Sequence, residues 1–149
     1  MGLQIDGRSI GDGFPAYLIA EIGLNHGGSL TVAKEMVLSA KAAGVDAVKF
    51  QIFKTENFIS SQSEYYSVIN KCVLNEVEIK DLFQFCKKND ISAIASVFDN
   101  ESANLLNDLG CPAFKIASGD ITHHPLIKYV AALGKPIIVS TGGANLDEV

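Results

Sequence analysis

Several polar side chains stand inside runs that are otherwise apolar. Glu21 lies near the end of the β-type run Tyr17–Ile22, and Lys49 and Gln51 lie two apart on Asp46–Ile52, hence on one face of a strand. Ser96 falls near the end of Ile91–Val97, Lys115 sits inside Ala113–Ala117 with Ser118 just beyond, and Ser140 and Thr141 close Ile137–Ser140. Two lysines, a carboxylate and several hydroxyls suit a small anionic ligand: lysine offers a point charge to a phosphate or carboxylate, and hydroxyls and backbone amides complete the oxygen contacts. A single strand lysine more often snorkels or pairs with a carboxylate. Three ionisable residues at equivalent depth on successive strands are harder to explain that way, because a buried charge is costly unless it pairs or meets a ligand.

Other polar residues carry weaker signals. The loop Asn25-His26-Gly27-Gly28-Ser29 could cradle an anion at a helix start. It lacks the Lys-Ser/Thr pair of a nucleotide phosphate loop, and no GxGxxG occurs. His26 is as suited to a loop hydrogen bond as to a ligand contact. His123 and His124 precede Pro125 and fit a helix start better than a metal pair, since adjacent histidines point apart. Tyr65 and Tyr66 are expected to pack at an interface rather than form a lid.

These residues need elements to hold them, and the pattern supplies alternating strands and helices. Leu3 and Ile5, then Asp6-Gly7, then Arg8–Ile10 predict a hairpin within residues 1–15. Ser29 is a good N-cap for a helix carrying Leu30, Ala33, Met36, Val37 and Ala40 to a stop at Gly44. Asn75 with Glu78 resembles a capping box before Ile79, Leu82, Phe83 and Cys86, and Lys87 and Lys88 suit the helix end. Asp99 caps a helix reaching Gly110, and Pro125 opens one that stops at Gly134. Residues 53–74 read as a long irregular stretch, and 145–149 as the first turn of another helix. Such alternation over 16–149 implies right-handed βαβ units and a parallel sheet. Periodicity leaves two architectures open: a doubly wound open sheet, or about the first five strands of a (β/α)₈ barrel, which takes about 250 residues when complete.

Composition narrows the partners. Hydrophobic residues make up 48% and charged residues 19%, enough to bury a core. A net charge of −5 without any basic run argues against a nucleic-acid partner. No stretch approaches the roughly 20 apolar residues of a membrane span, and the opening MGLQIDGRSIGDG lacks the order of a secretion signal. Three dispersed cysteines, Cys72, Cys86 and Cys111, read as reduced thiols and small fillers, so a cytoplasmic protein is expected.

The motifs AEIGLNHGG (20–28), VKFQ (48–51), FKIASGD (114–120), HPLI (124–127) and GKPIIVSTGGA (134–144) together resemble the sialic acid (N-acetylneuraminate) synthase family, in register from about residue 3 onward. The resemblance implies a TIM barrel, of which residues 1–149 would be the amino-terminal part, without the antifreeze-like domain that usually follows. It also implies condensation of phosphoenolpyruvate with N-acetylmannosamine or a related amino sugar, in a homo-oligomer. Carried over position by position, Lys49, Ser96, Lys115, Ser118 and Ser140 match residues that hold phosphoenolpyruvate. Glu21 and Gln51 match polar residues around the reacting carbons, and Asn25 and His26 belong to the same signature. Ser96 stands where Thr is common and Asp120 where Glu is common, and Thr141 adjoins the group. A divalent metal, manganese or magnesium, is implied as a Lewis acid for the aldehyde, with its histidine ligands beyond residue 149, as are the residues that grip the sugar. The 149-residue chain is therefore expected to be inactive alone, and stable only through a second copy or as part of a larger ordered protein. Two rivals remain: another phosphoenolpyruvate-using 3-deoxy-sugar-acid synthase, against which the NHGG and SGD signatures argue, and a non-catalytic half-barrel assembly module.

Overall fold

Asp6 and Gly7 both take left-handed backbone angles, with φ of +50° and +77°, as a two-residue hairpin turn requires. In the computed structural model, which describes residues 2–149, that turn joins β1 (Leu3–Ile5) to β2 (Arg8–Ile10), with Ile5 opposite Arg8. The expected hairpin therefore forms, Met1 lying outside the described residues.

Five parallel strands follow: β3 (Ile19–Gly23), β4 (Ala47–Ile52), β5 (Ser92–Val97), β6 (Phe114–Ile116) and β7 (Ile137–Val139). Their order in the sheet is their order in the chain. A doubly wound sheet reverses its strand order at a switch point, whereas a barrel adds each strand beside the last. The unreversed order resolves the choice left open by periodicity in favour of the TIM-barrel type. Each strand begins or ends within two residues of its expected bounds.

Connecting helices supply one wall of the core. Helix α1 (Leu30–Ala42) is capped by Ser29, whose hydroxyl accepts from the Val32 amide at 3.3 Å. After the short α2 (Thr55–Phe58) and α3 (Tyr66–Lys71) comes α4 (Glu76–Lys88), with a complete Asn75–Glu78 capping box. Then come α5 (Asn100–Asp108), capped by Asp99, and α6 (His124–Ala132), with Pro125 in its first turn. One face of β4, Val48, Phe50 and Ile52, is buried with Val37 of α1, Leu82 of α4 and Leu106 of α5. Period two sends Lys49 and Gln51 to the opposite face, the inner face of a barrel. Among the described residues no helix is long and apolar enough to cross a membrane.

The segment 53–74 departs from its irregular expectation. Helices α2 and α3 are short and have no side-chain cap, so nothing local announces them. Tertiary contacts hold them instead: Phe58 stacks on Phe53 with ring centroids 4.1 Å apart, and the Thr55 hydroxyl donates to Asn70 Oδ1 at 2.9 Å. Tyr65 is exposed and Tyr66 half-buried. At 145–149 a turn forms whose Asn145 side chain accepts from the Asp147 and Glu148 amides at 3.0 and 3.1 Å, the geometry of a helix start. Cys86 and Cys111 are buried fillers, their thiols pushed up to about 12 and about 11 by burial, while Cys72 is half-buried.

Candidate anion site at the strand tips

Register assembles the site. Glu21 on β3 is level with Lys49 on β4, Gln51 with Ser96 on β5, and Ser96 with Lys115 on β6. Four successive strands thus present a polar residue to the inner face near their carboxyl ends, where parallel α/β folds bind ligands. Lys49 forms an ion pair with Glu21 and donates to the Ser96 hydroxyl at 3.2 Å. Ser96 is buried, and the Lys49 side chain is 13% exposed against 48% for Glu21. An ammonium has three N–H donors, so these two acceptors leave Lys49 one to spare.

Lys115 has no hydrogen bond or ion pair among the described residues, although it is half-buried. Burial lowers its pKa from the ordinary lysine value, the neighbouring Lys49 charge lowers it further, and Glu21 and Asp120 act in the opposite direction. Those Coulombic partners place Glu21, Lys49, Lys115 and Asp120 in one electrostatic neighbourhood. Gln51 joins from the β3 side: a Cβ built on Gly23 would lie 3.1 Å from Glu21 Oε1 and 3.6 Å from Gln51 Nε2. A Cβ there would crowd the Glu21 carboxylate and touch Gln51, and Gly23 also needs φ of +56°. Sequence reasoning did not single out Gly23; a glycine directly after a strand that ends in a carboxylate was the available signal.

Ser118 begins a 3₁₀ turn, Ser118–Asp120, directly past β6. Its Oγ lies 3.7 Å from the position a Cβ on Gly142 would take, so the chain beyond β7 closes against it. The Ser140 amide donates to the Ile116 carbonyl at 3.1 Å, which keeps Ser140 beside the tip of β6. Thr141 is exposed.

Asn25 and His26 make their side-chain hydrogen bonds within their own loop. Asn25 donates through Nδ2 to the Ile22 carbonyl at 2.9 Å, a bond inside its own loop. His26 is buried, and its Nδ1 accepts the Gly28 amide at 3.1 Å. Of the two uses open to His26, the loop hydrogen bond is the one formed. His123 is the residue before α6 and makes no capping bond through its side chain; His124 is the helix's first residue.

Among the described residues no three His, Cys, Asp or Glu side chains converge where they could hold a cation. The divalent metal implied by the resemblance finds no ligand set here, and no step below is assigned to it. A cleft of about 490 Å³ lies away from the strand-tip group, between Lys54, Thr55, Asn70, Leu74 and Glu101.

Comparison with known proteins bears on what this group belongs to. The chain is 44% identical over 147 residues to the uncharacterized protein MJ1065 of Methanocaldococcus jannaschii, covering 99% of this chain and 44% of that one. It is 40% identical over 146 residues to the N,N'-diacetyllegionaminic acid synthase of Campylobacter jejuni, covering 89% of this chain and again 44% of the other. The chain thus spans less than half the length of these relatives. A solved structure of N-acetylneuraminic acid (sialic acid) synthetase from Leptospira borgpetersenii superposes with a TM-score of 0.94 at 32% identity, over 99% of this chain and 52% of that one. Residues 36–149 match the NeuB family as a unit. With the polar strand tips in register and the backbone shared with a sialic acid synthetase, the chain belongs to the NeuB family of sialic, legionaminic and pseudaminic acid synthases.

Proposed function

We propose that residues 2–149 carry the phosphoenolpyruvate half of a synthase active site, and that the whole protein condenses phosphoenolpyruvate with an N-acetylated amino sugar. The observation that carries this reading is Lys115, a half-buried ammonium that makes no direct ion pair among the described residues and lies near a second lysine. Two cations held together out of bulk water repel, and a multivalent anion relieves both. Lys115 and the spare donor of Lys49 take the phosphate and carboxylate, and Ser96, Ser118 and Ser140 supply further oxygen contacts. Asp120, at the end of the same turn as Ser118, moderates the local positive charge.

In the reaction, the C3 methylene of phosphoenolpyruvate attacks the aldehyde carbon of the sugar. Water adds at C2, and inorganic phosphate leaves by C–O cleavage. Fixing the enol by its two anionic groups supplies attack geometry, and cations aimed at the phosphate stabilise it as it departs. Glu21 and Gln51, level with the lysine and serine that hold the ligand, face the reacting carbons. Glu21 orients the water.

Calorimetric titration of phosphoenolpyruvate into the 149-residue chain, beside Lys49→Ala and Lys115→Ala, tests the reading. Saturable binding that both substitutions weaken by roughly tenfold or more supports it; a folded chain that takes up no ligand removes it. The same chain given phosphoenolpyruvate and N-acetylmannosamine is expected to release no phosphate, since it spans less than half the length of the relatives it matches.

A further inference from the structure

Glu21 depends on the loop that leaves it. From Ile22 to Ser29 the backbone turns on itself: the Asn25 amide donates to the Ile22 carbonyl at 3.0 Å, Gly27 to Leu24 at 2.9 Å, and Ser29 to His26 at 3.0 Å. At one end, the Glu21 carboxylate lies over Gly23, 3.1 Å from where a Cβ would stand. At the other end, Gly28 takes φ of +80°, and a Cβ on it would sit 2.0 Å from the Lys71 carbonyl oxygen. The loop is thus wedged against the last turn of α3. Between the two glycines, the His26 ring folds back so that Nδ1 accepts the Gly28 amide at 3.1 Å. This reproduces with imidazole the Asx turn that asparagine makes to the residue two ahead.

Such a bond is conditional on protonation. Neutral imidazole can accept at Nδ1 only with its proton on Nε2, and imidazolium has two donors and no acceptor. We propose that His26 is a positioning residue for the anion site: its neutral ring latches the loop that aims Glu21 at Lys49, and protonation of Nδ1 undoes the latch. Burial of His26 lowers its pKa from the ordinary histidine value, and Glu78, at the start of α4, is the charged side chain that acts against this. The latch is therefore closed at neutral pH and opens only below the ordinary histidine value. In the linkage sense, a histidine with a depressed folded pKa adds stability that is complete above the unfolded value, about 6.5, and is lost as pH falls through the folded one.

The inference concerns the site assigned above but rests on that assignment only for its ligand readout. NMR of the labelled 149-residue chain between pH 7.5 and 5 tests the latch without ligand. We expect the Nε2–H tautomer at the neutral end, at least tenfold loss of Gly28 amide protection on acidification, and a Glu21 carboxyl shift with the same midpoint as the His26 ring. His26→Asn retains an acceptor for the same amide, so Gly28 stays protected and both signals lose that midpoint. A Gly28 amide or a Glu21 signal indifferent to the His26 titration in the unmodified chain overturns the proposal, and that series decides it even if the variant does not fold. Where phosphoenolpyruvate binds, its affinity should fall severalfold more on acidification in the unmodified chain than in His26→Asn. A working latch in a chain that binds no phosphoenolpyruvate supports this inference and counts against the ligand assignment alone.

Discussion

At the amino end of the parallel sheet Arg8 pairs with Asp46, donates to the Ala16 carbonyl at 3.2 Å and lies over the Tyr17 ring. Asp46 also accepts the Leu18 amide at 2.7 Å, and Asp6 accepts from Ser92 at the start of β5. Ile5 of the hairpin is 2% exposed and joins the main core. At the carboxyl end Lys115 is charged, half-buried and without a partner. The amino end does hold one unsatisfied group, the buried Tyr17 hydroxyl, but it is neutral and so less costly than an unpaired ammonium. The difference separates two uses of polar residues in one sheet. Where Arg8 and Asp46 answer each other within the chain, polarity fastens the hairpin. Where a charge is left over, as at Lys115, the answer under the proposed function is a ligand.

Substitutions at the two ends should therefore register in different experiments. The largest effect is expected from Ile5→Ala, which removes the hairpin's buried anchor and should cost about 3 kcal/mol in urea unfolding, the usual scale for a buried Ile truncation. If phosphoenolpyruvate affinity fell in parallel in the still-folded fraction, the two ends would not be independent. Lys115→Ala comes next. Loss of one charge-assisted contact is worth about 2 kcal/mol, roughly thirtyfold in phosphoenolpyruvate affinity, while unfolding stability should hold or rise because an unpaired cation is gone. A marked drop in stability would mean that Lys115 has a structural partner after all. Asp46→Ala should cost about 1.5 kcal/mol of stability through the lost Leu18 amide bond and ion pair, and leave binding untouched.

Much of this contrast was legible in the sequence, for physical reasons that differ by residue. Lys49, Gln51 and Lys115 were conspicuous because period two leaves no apolar excuse for them on covered strands. Asp6-Gly7 and the Asn75–Glu78 box were legible because turn and cap chemistry is local. Periodicity left the barrel topology open, since strand order is a long-range property that each βαβ unit leaves unstated, and only the family resemblance implied it. Helices α2 and α3 were missed because they rest on Phe53–Phe58 stacking and on the Thr55–Asn70 bond, contacts between residues whose proximity only the fold creates. The direction of His26 was undetermined for a similar reason: Gly28 needs the Lys71 carbonyl beside it before the loop has only one shape.

The smallest expected effect also sharpens the contrast most finely, because it changes one proton and no atom of the fold. Burial, then the Lys49 charge, lowers the pKa of Lys115 from its ordinary 10.5. The folded chain therefore holds this proton less tightly than the unfolded chain, so Lys115 opposes folding while charged. That opposition is relieved as pH rises through the lowered value towards 10.5. Ligand binding runs the other way, since a bound phosphate favours the charged ammonium. Between pH 7.5 and 10.5 phosphoenolpyruvate affinity should weaken as this proton is lost, while unfolding stability gains a little from this group. The phosphate's own second ionisation, near pH 6, is complete across that range and does not contribute. Lys115→Ala should remove the part of both trends that Lys115 supplies. Equal pH dependence in the two proteins would place the titrating cation elsewhere and leave Lys115 without the role its isolation suggests.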